Sequence, residues 1–167
     1  MEHDHSDGFR GRYGPWAVVT GASSGIGRVC ALELVSRGLN VVLVARRGSE
    51  LEALATEITV GAGNEARVVA AAGFGASGVF LERDPTEDLS MLNLNCAAVL
   101  VQSRHFGERF VRRGRGGLVL FGSLVGFQGA PNAANYAGTK AYVQTLAEGL
   151  HVELAPRGVD VLVSAPG

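Results

Sequence analysis

The sequence has little of three features that define many classes of protein: cysteine, net charge and long hydrophobic runs. Its 167 residues include two cysteines, Cys30 and Cys96, and the formal net charge at pH 7 is −1. Two cysteines give no disulfide framework, so we expect reduced thiols in a cytoplasmic protein. A net charge near zero gives no electrostatic basis for binding nucleic acid or an anionic membrane. No apolar run is long enough to cross a bilayer, and we therefore expect neither kind of partner.

The first fourteen residues differ in composition from the rest of the chain. Residues 1–14 are polar and acidic, and they lack the basic-then-apolar order of a secretory signal. His3 and His5 have no third ligand on an ordered element, so no metal site is predicted. With 47% apolar residues, the chain is long enough for a single core. We predict a flexible tail over 1–14 and one domain over 15–167.

A glycine-rich segment with the sequence Thr-Gly-Ala-Ser-Ser-Gly-Ile-Gly occupies residues 20–27. The apolar run 16–20 leads into it and a helical pattern over 25–37 follows. Glycine permits positive φ and close approach of a ligand to the backbone, and a helix N-terminus favours an anion. This strand–turn–helix pattern predicts a diphosphate-binding turn of a dinucleotide site, formed by Gly21, Ser23, Ser24, Gly25, Ile26 and Gly27.

Apolar runs and helical patterns alternate through the remaining sequence. The runs lie at 40–45, 67–72, 117–122 and 158–165, and the helical patterns lie at 49–58, 85–113 and 132–155. Continuously apolar strands alternating with helices predict an α/β fold with a parallel sheet covered on both faces. Such sheets bind ligands at the carboxyl ends of their strands.

Three residues in the second half of the chain have the chemistry of an acid–base site. Tyr136 and Lys140 are spaced i, i+4 on a predicted helix, so they share a face. Ser123 follows the preceding strand at its carboxyl end. An adjacent ammonium stabilises a phenolate and lowers the tyrosine pKa toward neutral pH, and a serine hydroxyl can hold a substrate oxygen.

The residues after the second strand indicate which dinucleotide would be bound. A carboxylate there would accept a hydrogen bond from the adenosine ribose 2′-hydroxyl of NAD. The interval between Leu39 and Ser49 holds no acid but has Arg46 and Arg47, which suit a 2′-phosphate. We therefore predict NADP(H) in preference to NAD(H). The alternative is two solvated surface arginines.

Taken together and in order, these motifs resemble those of the short-chain dehydrogenase/reductase family. They are the glycine turn, Ala71-Ala72-Gly73 in place of the family's Asn-Ala-Gly, Asn95, Ser123, Tyr136-x-x-x-Lys140 and Pro166-Gly167. The resemblance implies a Rossmann-type doubly wound parallel sheet, a nicotinamide cofactor and a small carbonyl or alcohol substrate.

The resemblance also implies residue roles. Tyr136 would be the general acid/base, Ser123 would orient the substrate, and Lys140 would lower the tyrosine pKa and bind the nicotinamide ribose. Asn95 would help hold a water that relays protons to Lys140. Further cofactor contacts are implied at Ala72, Gly73, Pro166 and Gly167. Helices 85–113 and 133–155 would be the surfaces for a homo-oligomer.

The sequence departs from the family pattern in two places. About one strand and one helix are missing after residue 58, and the last strand and substrate-covering segment are missing after Pro166-Gly167. We interpret the retained strand 67–72 as the central one, beside the first strand. Three functions therefore stay open: an NADP(H)-dependent oxidoreductase, a dinucleotide-binding protein without turnover, and a related epimerase or dehydratase, whose usual longer substrate domain is absent.

Overall fold

The computed structural model describes residues 5–70 and 78–167, and the chain divides into two compact units at residues 1–73 and 74–167. In both units parallel strands alternate with helices, as predicted for a Rossmann-like α/β fold. Within the described ranges, no helix has the length and apolar character needed to span a membrane.

The first unit is a three-stranded parallel sheet with helices between the strands. Its elements are α1 (His5–Tyr13), β1 (Trp16–Thr20), α2 (Gly25–Ser36), β2 (Asn40–Ala45), α3 (Gly48–Ala62) and β3 (Ala66–Ala70). The strand order is β1-β2-β3, with β2 in the centre.

The core of the first unit forms where α3 packs near β2. Leu51, Leu54 and Ile58 are buried, as their helical spacing predicts, in one cluster with Val41 and Leu43. Burial of each such side chain stabilises the fold by roughly 1.5–3 kcal/mol.

The buried face of α2 matches the predicted one only in part. The helical spacing predicts an apolar face made of Ile26, Val29, Cys30, Leu32, Glu33 and Leu34. Cys30, Leu32 and Leu34 do pack against the core, but Val29 is 63% exposed. The residues that are buried are Ala31 and Val35. Apolar residues surround this helix on nearly all sides, so its periodicity alone does not select a face.

The predicted position of the third strand is wrong. β3 pairs with β2, with Ala66 opposite Val41, and not with β1. The helix α3 continues to Ala62, and Gly63 ends it with φ 70°. A short connection then returns the chain to the neighbouring strand, held by hydrogen bonds between the segments 39–40 and 64–65.

The segment predicted as a flexible tail contains the helix α1 over His5–Tyr13. The Arg10 guanidinium donates a hydrogen bond to the Gly38 carbonyl oxygen at 2.9 Å. The Arg37 guanidinium lies 5.1 Å from the centroid of the Phe9 ring. These contacts with a distant loop are not visible in the polar composition of the segment.

The second unit, described from residue 78 onward, contains two parallel strands and three α-helices in that range. It contains α4 (Pro85–Leu92), α5 (Ala98–Arg113), β4 (Gly116–Phe121), α6 (Ala134–Leu154) and β5 (Val159–Ser164), with short 3₁₀ turns at Phe80–Glu82, Leu124–Gly126 and Ala155–Arg157. A π-helical turn at Asn93–Ala97 joins α4 to α5. The helical pattern predicted over 85–113 therefore contains a local widening at Asn93–Ala97, a feature that often marks functional sites.

Candidate active site

The glycine turn has the backbone conformation that its sequence predicts. Gly21 and Gly25 have φ values of 72° and 53°, which side chains with a Cβ rarely adopt. A Cβ on Gly27 would collide with the Gly21 carbonyl oxygen. The first turn of α2 therefore packs directly against the loop, and only glycine fits at residue 27.

The turn directs the start of α2 toward the carboxyl end of β1. Ala22 is buried and its backbone N–H donates to the Val44 carbonyl oxygen at 3.2 Å, which fixes the turn to β2. Ser24 precedes the helix in an extended conformation and makes no side-chain cap. The N-terminal amides of the helix thus have no side-chain cap at Ser24, an arrangement that fits a diphosphate.

The two predicted arginines follow β2 and are both exposed. The Arg47 guanidinium donates to the Ser23 hydroxyl oxygen at 3.2 Å and lies 3.5 Å from the Glu50 carboxylate. Hydrogen bonds from its own backbone amide and from Ser49 lower the pKa of Glu50, and the nearby Arg47 charge adds to that effect. The structure thus brings Arg47, but not Arg46, to the glycine turn.

Tyr136 and Lys140 lie one turn apart on α6. The Lys140 Nζ is 5.6 Å from the centroid of the Tyr136 ring and donates to the Phe121 carbonyl oxygen at 2.9 Å. Phe121 is the last residue of β4, two residues before Ser123. The ammonium is therefore held between the tyrosine ring and the strand end that leads to Ser123.

Lys140 is the only lysine in the sequence. Burial lowers its pKa from the ordinary value, an effect partly opposed by the neighbouring Cys96. Burial raises the pKa of the Cys96 thiol, against the effect of the lysine charge. Cys96 is therefore a neutral thiol at neutral pH, and its Sγ lies 4.0 Å from the Thr139 carbonyl oxygen.

Ser123 lies beside the predicted Pro166-Gly167 pair at the end of the sequence. The Ser123 hydroxyl donates to the Pro166 carbonyl oxygen at 3.3 Å, and the Leu124 N–H donates to the same oxygen at 3.1 Å. In this arrangement the hydroxyl proton is already used. It would have to rotate away from Pro166 to donate to a substrate.

Asn95 contacts the helix of the tyrosine through a residue that the sequence analysis missed. The Asn95 amide nitrogen donates to the Thr139 hydroxyl oxygen at 3.1 Å, and that hydroxyl donates to the Tyr136 carbonyl oxygen at 2.8 Å. Thr139 is 0% exposed. A buried hydroxyl needs a partner, but only the structure shows that Thr139 is buried, so the sequence carried no signal for it.

The described residues separate the predicted site into two sets. The glycine turn and both arginines belong to the first unit, and Asn95, Ser123, Tyr136, Lys140 and the terminal Pro-Gly pair belong to the second. The predicted contacts at Ala72 and Gly73 lie outside the described residues. A glycine turn, a parallel α/β fold and a serine–tyrosine–lysine group define the class of NAD(P)-dependent oxidoreductases with a Rossmann-like fold.

Comparison with a protein-family model identifies the family within that class. The model described as short chain dehydrogenase matches residues 15–71 and 66–167. The chain therefore belongs to the short-chain dehydrogenase family. The two matched stretches share residues 66–71, so one segment fits the end of the first stretch and the start of the second.

Two curated relatives illustrate the extent of the similarity. The chain is 33% identical to a 7beta-hydroxysteroid dehydrogenase of Clostridium sardiniense, over 95% of this chain and 71% of the relative. It is 34% identical to a very-long-chain 3-oxoacyl-CoA reductase of Podospora anserina, over 90% of this chain and 54% of that protein. The chain thus spans about half the length of the fungal reductase.

Solved structures show the same relationship. A short-chain dehydrogenase from Sphingobium yanoikuyae in complex with NADPH is 31% identical with a TM-score of 0.85, covering 89% of this chain and 69% of that one. A bulky-bulky ketone specific alcohol dehydrogenase from Comamonas testosteroni gives the same identity and TM-score over 91% and 72%. The predicted family and the predicted Rossmann-like fold, shorter than in relatives, are confirmed.

Proposed function

We propose that this chain binds NADP(H) and interconverts a small carbonyl compound and its alcohol, with Tyr136 as general acid/base. The observation that supports this most is the placement of Lys140 between the Tyr136 ring and the carboxyl end of β4. When bound, the cofactor would supply or accept the hydride. The residues of the chain would hold the substrate and move the proton.

Each side chain of the second unit has a role in this proposal. The Tyr136 hydroxyl gives its proton to the substrate oxygen as an alcohol forms, and takes it back in the reverse direction. The Lys140 ammonium stabilises the phenolate through its positive charge. Ser123 holds the substrate oxygen after its hydroxyl leaves Pro166. Asn95 donates a hydrogen bond to Thr139 and so supports the first turns of α6. It is also the proposed residue for holding the water that relays protons to Lys140.

The preference for NADP(H) rests on the first unit. Arg46 and Arg47 follow β2 where a carboxylate would favour NAD(H), and a phosphate accepts hydrogen bonds from guanidinium groups. Two structural neighbours are described with bound NADPH or NADP. The glycine turn would hold the diphosphate, with Ala72, Gly73, Pro166 and Gly167 as further proposed contacts.

A second candidate is a dinucleotide-binding protein without turnover. Two observations favour it. The Ser123 hydroxyl donates a hydrogen bond to the Pro166 carbonyl oxygen, and the family model matches the chain in two stretches, 15–71 and 66–167, rather than in one. In this case the cofactor would bind but no substrate would be oriented for reaction.

Calorimetric titration with NADPH and NADH, followed by turnover assays, separates the two candidates. The assays measure NADPH oxidation with a panel of ketones and aldehydes, and NADP reduction with the matching alcohols. Micromolar NADPH binding with turnover supports the oxidoreductase. Binding without turnover on any member of the panel would favour the second candidate, and a folded chain that binds neither cofactor would contradict both.

We also propose that α4–α5 and α6 provide the surfaces for a homo-oligomer. Leu100 and Val101 on α5 and Tyr142 on α6 are exposed, and a second copy would bury them. Sedimentation velocity of the wild type and of Val101→Glu tests this. A monomeric wild type would contradict the proposal.

A further inference from the structure

The residue before Tyr136 joins α6 to α4. The Asn135 amide nitrogen donates to both the backbone oxygen and the carboxylate of Asp88, each at 3.1 Å. It also lies 3.9 Å from the Met91 sulfur. One side chain thus connects the first turn of α6 to the first turn of α4.

Asp88 is in turn fixed by an arginine. The Arg83 Nε lies 3.0 Å from the Asp88 carboxylate, and the two side chains are only 10% and 15% exposed. Arg83 also reaches Glu87 at 3.4 Å, but the Glu87 side chain is 53% exposed. A pair withdrawn from water depends on its partners, because each group left alone would be a poorly solvated charge.

The loop before α6 is fixed to the same segment. The Asn132 carbonyl oxygen accepts a hydrogen bond from the Gly78 N–H at 2.8 Å, and Asn132 has φ 61°. A small pocket lies here, lined by Phe80, Arg83, Asn132 and Tyr136 among others. The segment 78–88 therefore borders the tyrosine and contacts the residues immediately before it.

We propose that Asp88, held by Arg83 and acting through Asn135, is a positioning residue for Tyr136. This inference rests on the proposed role of Tyr136 in the reaction. Asp88 has no part in the chemistry. It fixes the start of α6 and therefore the direction in which the phenol leaves the helix. The contact between Asn135 and Asp88 joins distant positions, so no local sequence pattern predicts it.

Amide hydrogen exchange of the intact chain tests the contact without cofactor or substrate. The variants are Asp88→Ala and Asn135→Ala, with Glu87→Ala as the matched control, since Glu87 touches Arg83 but not Asn135. In the first two variants we expect amide exchange at residues 137–139 to become roughly tenfold faster or more. The reason is that each variant loses the charge-assisted hydrogen bond between Asn135 and the Asp88 carboxylate. Alanine has a higher helix propensity than asparagine. A change in helix propensity in Asn135→Ala would therefore slow the exchange rather than speed it up.

Two further readouts distinguish positioning from general stability. Asp88→Asn keeps an acceptor oxygen toward Asn135 and should restore most of the protection. In an active protein, Asp88→Ala and Asn135→Ala should lower kcat about tenfold or more with KM nearly unchanged, while Glu87→Ala should change neither.

The outcomes separate this inference from the proposed function. Unchanged exchange at 137–139 in both alanine variants would overturn the inference, as would equal acceleration in Glu87→Ala. Faster exchange with unchanged kcat would also overturn it, because the contact would then be structural only. If the wild type has no turnover, the proposed function fails, and the exchange data still decide whether Asp88 holds the helix start.

Discussion

The two units differ in how completely their apolar residues are buried. Among the described residues of the first unit, four large apolar side chains are exposed, namely Val18, Ile26, Val29 and Val60. Among those of the second unit, thirteen are exposed, from Val79 to Leu162. In the described ranges, the first unit has three strands and a core cluster around β2, whereas the second has two strands.

The sheet of the second unit shows what this difference means. Val119 and Leu162 are directly opposite each other in β4 and β5, and they are 57% and 61% exposed. A sheet of two strands is too narrow to bury the apolar side chains on its faces. The side chains of the proposed reaction are instead held by individual polar contacts, such as Lys140 with Phe121 and Asn135 with Asp88. If function and stability are divided between the units in this way, substitutions in the two units should have separable effects.

The largest expected effect is the loss of turnover in Tyr136→Phe. Removing the hydroxyl removes the proposed proton donor, which should reduce the rate by about a hundredfold or more, with cofactor affinity retained. The measurement is steady-state NADPH oxidation together with calorimetry. Tyr142→Phe, on the same helix, is the control, and turnover that persists in the Tyr136 variant would refute the assignment.

A large effect on stability is expected in the core of the first unit. Leu51→Ala should lower the free energy of unfolding by about 2–5 kcal/mol, since the side chain is fully buried. Val60, on the same helix, is 82% exposed, so Val60→Ala should change the free energy of unfolding little. Chemical denaturation measures both. Similar losses in Leu162→Ala would show that the second unit is less open than its exposed residues indicate.

Gly27→Ala should weaken cofactor binding by roughly tenfold or more. The added methyl would collide with the Gly21 carbonyl oxygen and displace the turn. Gly61→Ala has open space around it and serves as the control. Calorimetry with NADPH makes the comparison, and equal affinities in the two variants would contradict a diphosphate site here.

The two arginines should differ in which part of the cofactor they affect. Arg46→Ala should weaken NADPH binding by about tenfold relative to NADH binding, which is the scale of one charge-assisted hydrogen bond. Arg47→Ala should weaken both, because Arg47 is held against Ser23 in the glycine turn. Equal losses of affinity for NADPH and NADH in the Arg46 variant would contradict a role of Arg46 in binding the 2′-phosphate.

The smallest expected effect is on the titration of Lys140. Burial lowers its pKa, so the amine becomes reactive at a lower pH than an ordinary lysine. Since Lys140 is the only lysine, mass spectrometry of amine labelling against pH reports on it separately from the α-amino group. A midpoint at or above the ordinary lysine value would contradict the described burial.

Much of the local structure follows from the sequence. The strands Trp16–Thr20 and Asn40–Ala45 and the buried face of α3 lie where the apolar pattern predicts them. The Tyr136–Lys140 proximity follows from helical spacing alone. These features depend on residues a few positions apart, for which backbone geometry fixes the relation between side chains.

Only the tertiary structure decided the rest. The sequence of β3 suits any parallel strand, and its place beside β2 depends on where α3 ends and on the contacts of Asn40 and Asn64. The helix α1 depends on Arg10 reaching Gly38 across the fold. The contacts of Asn135 with Asp88 and of Asn95 with Thr139 join residues more than forty positions apart, a relation that no local pattern records.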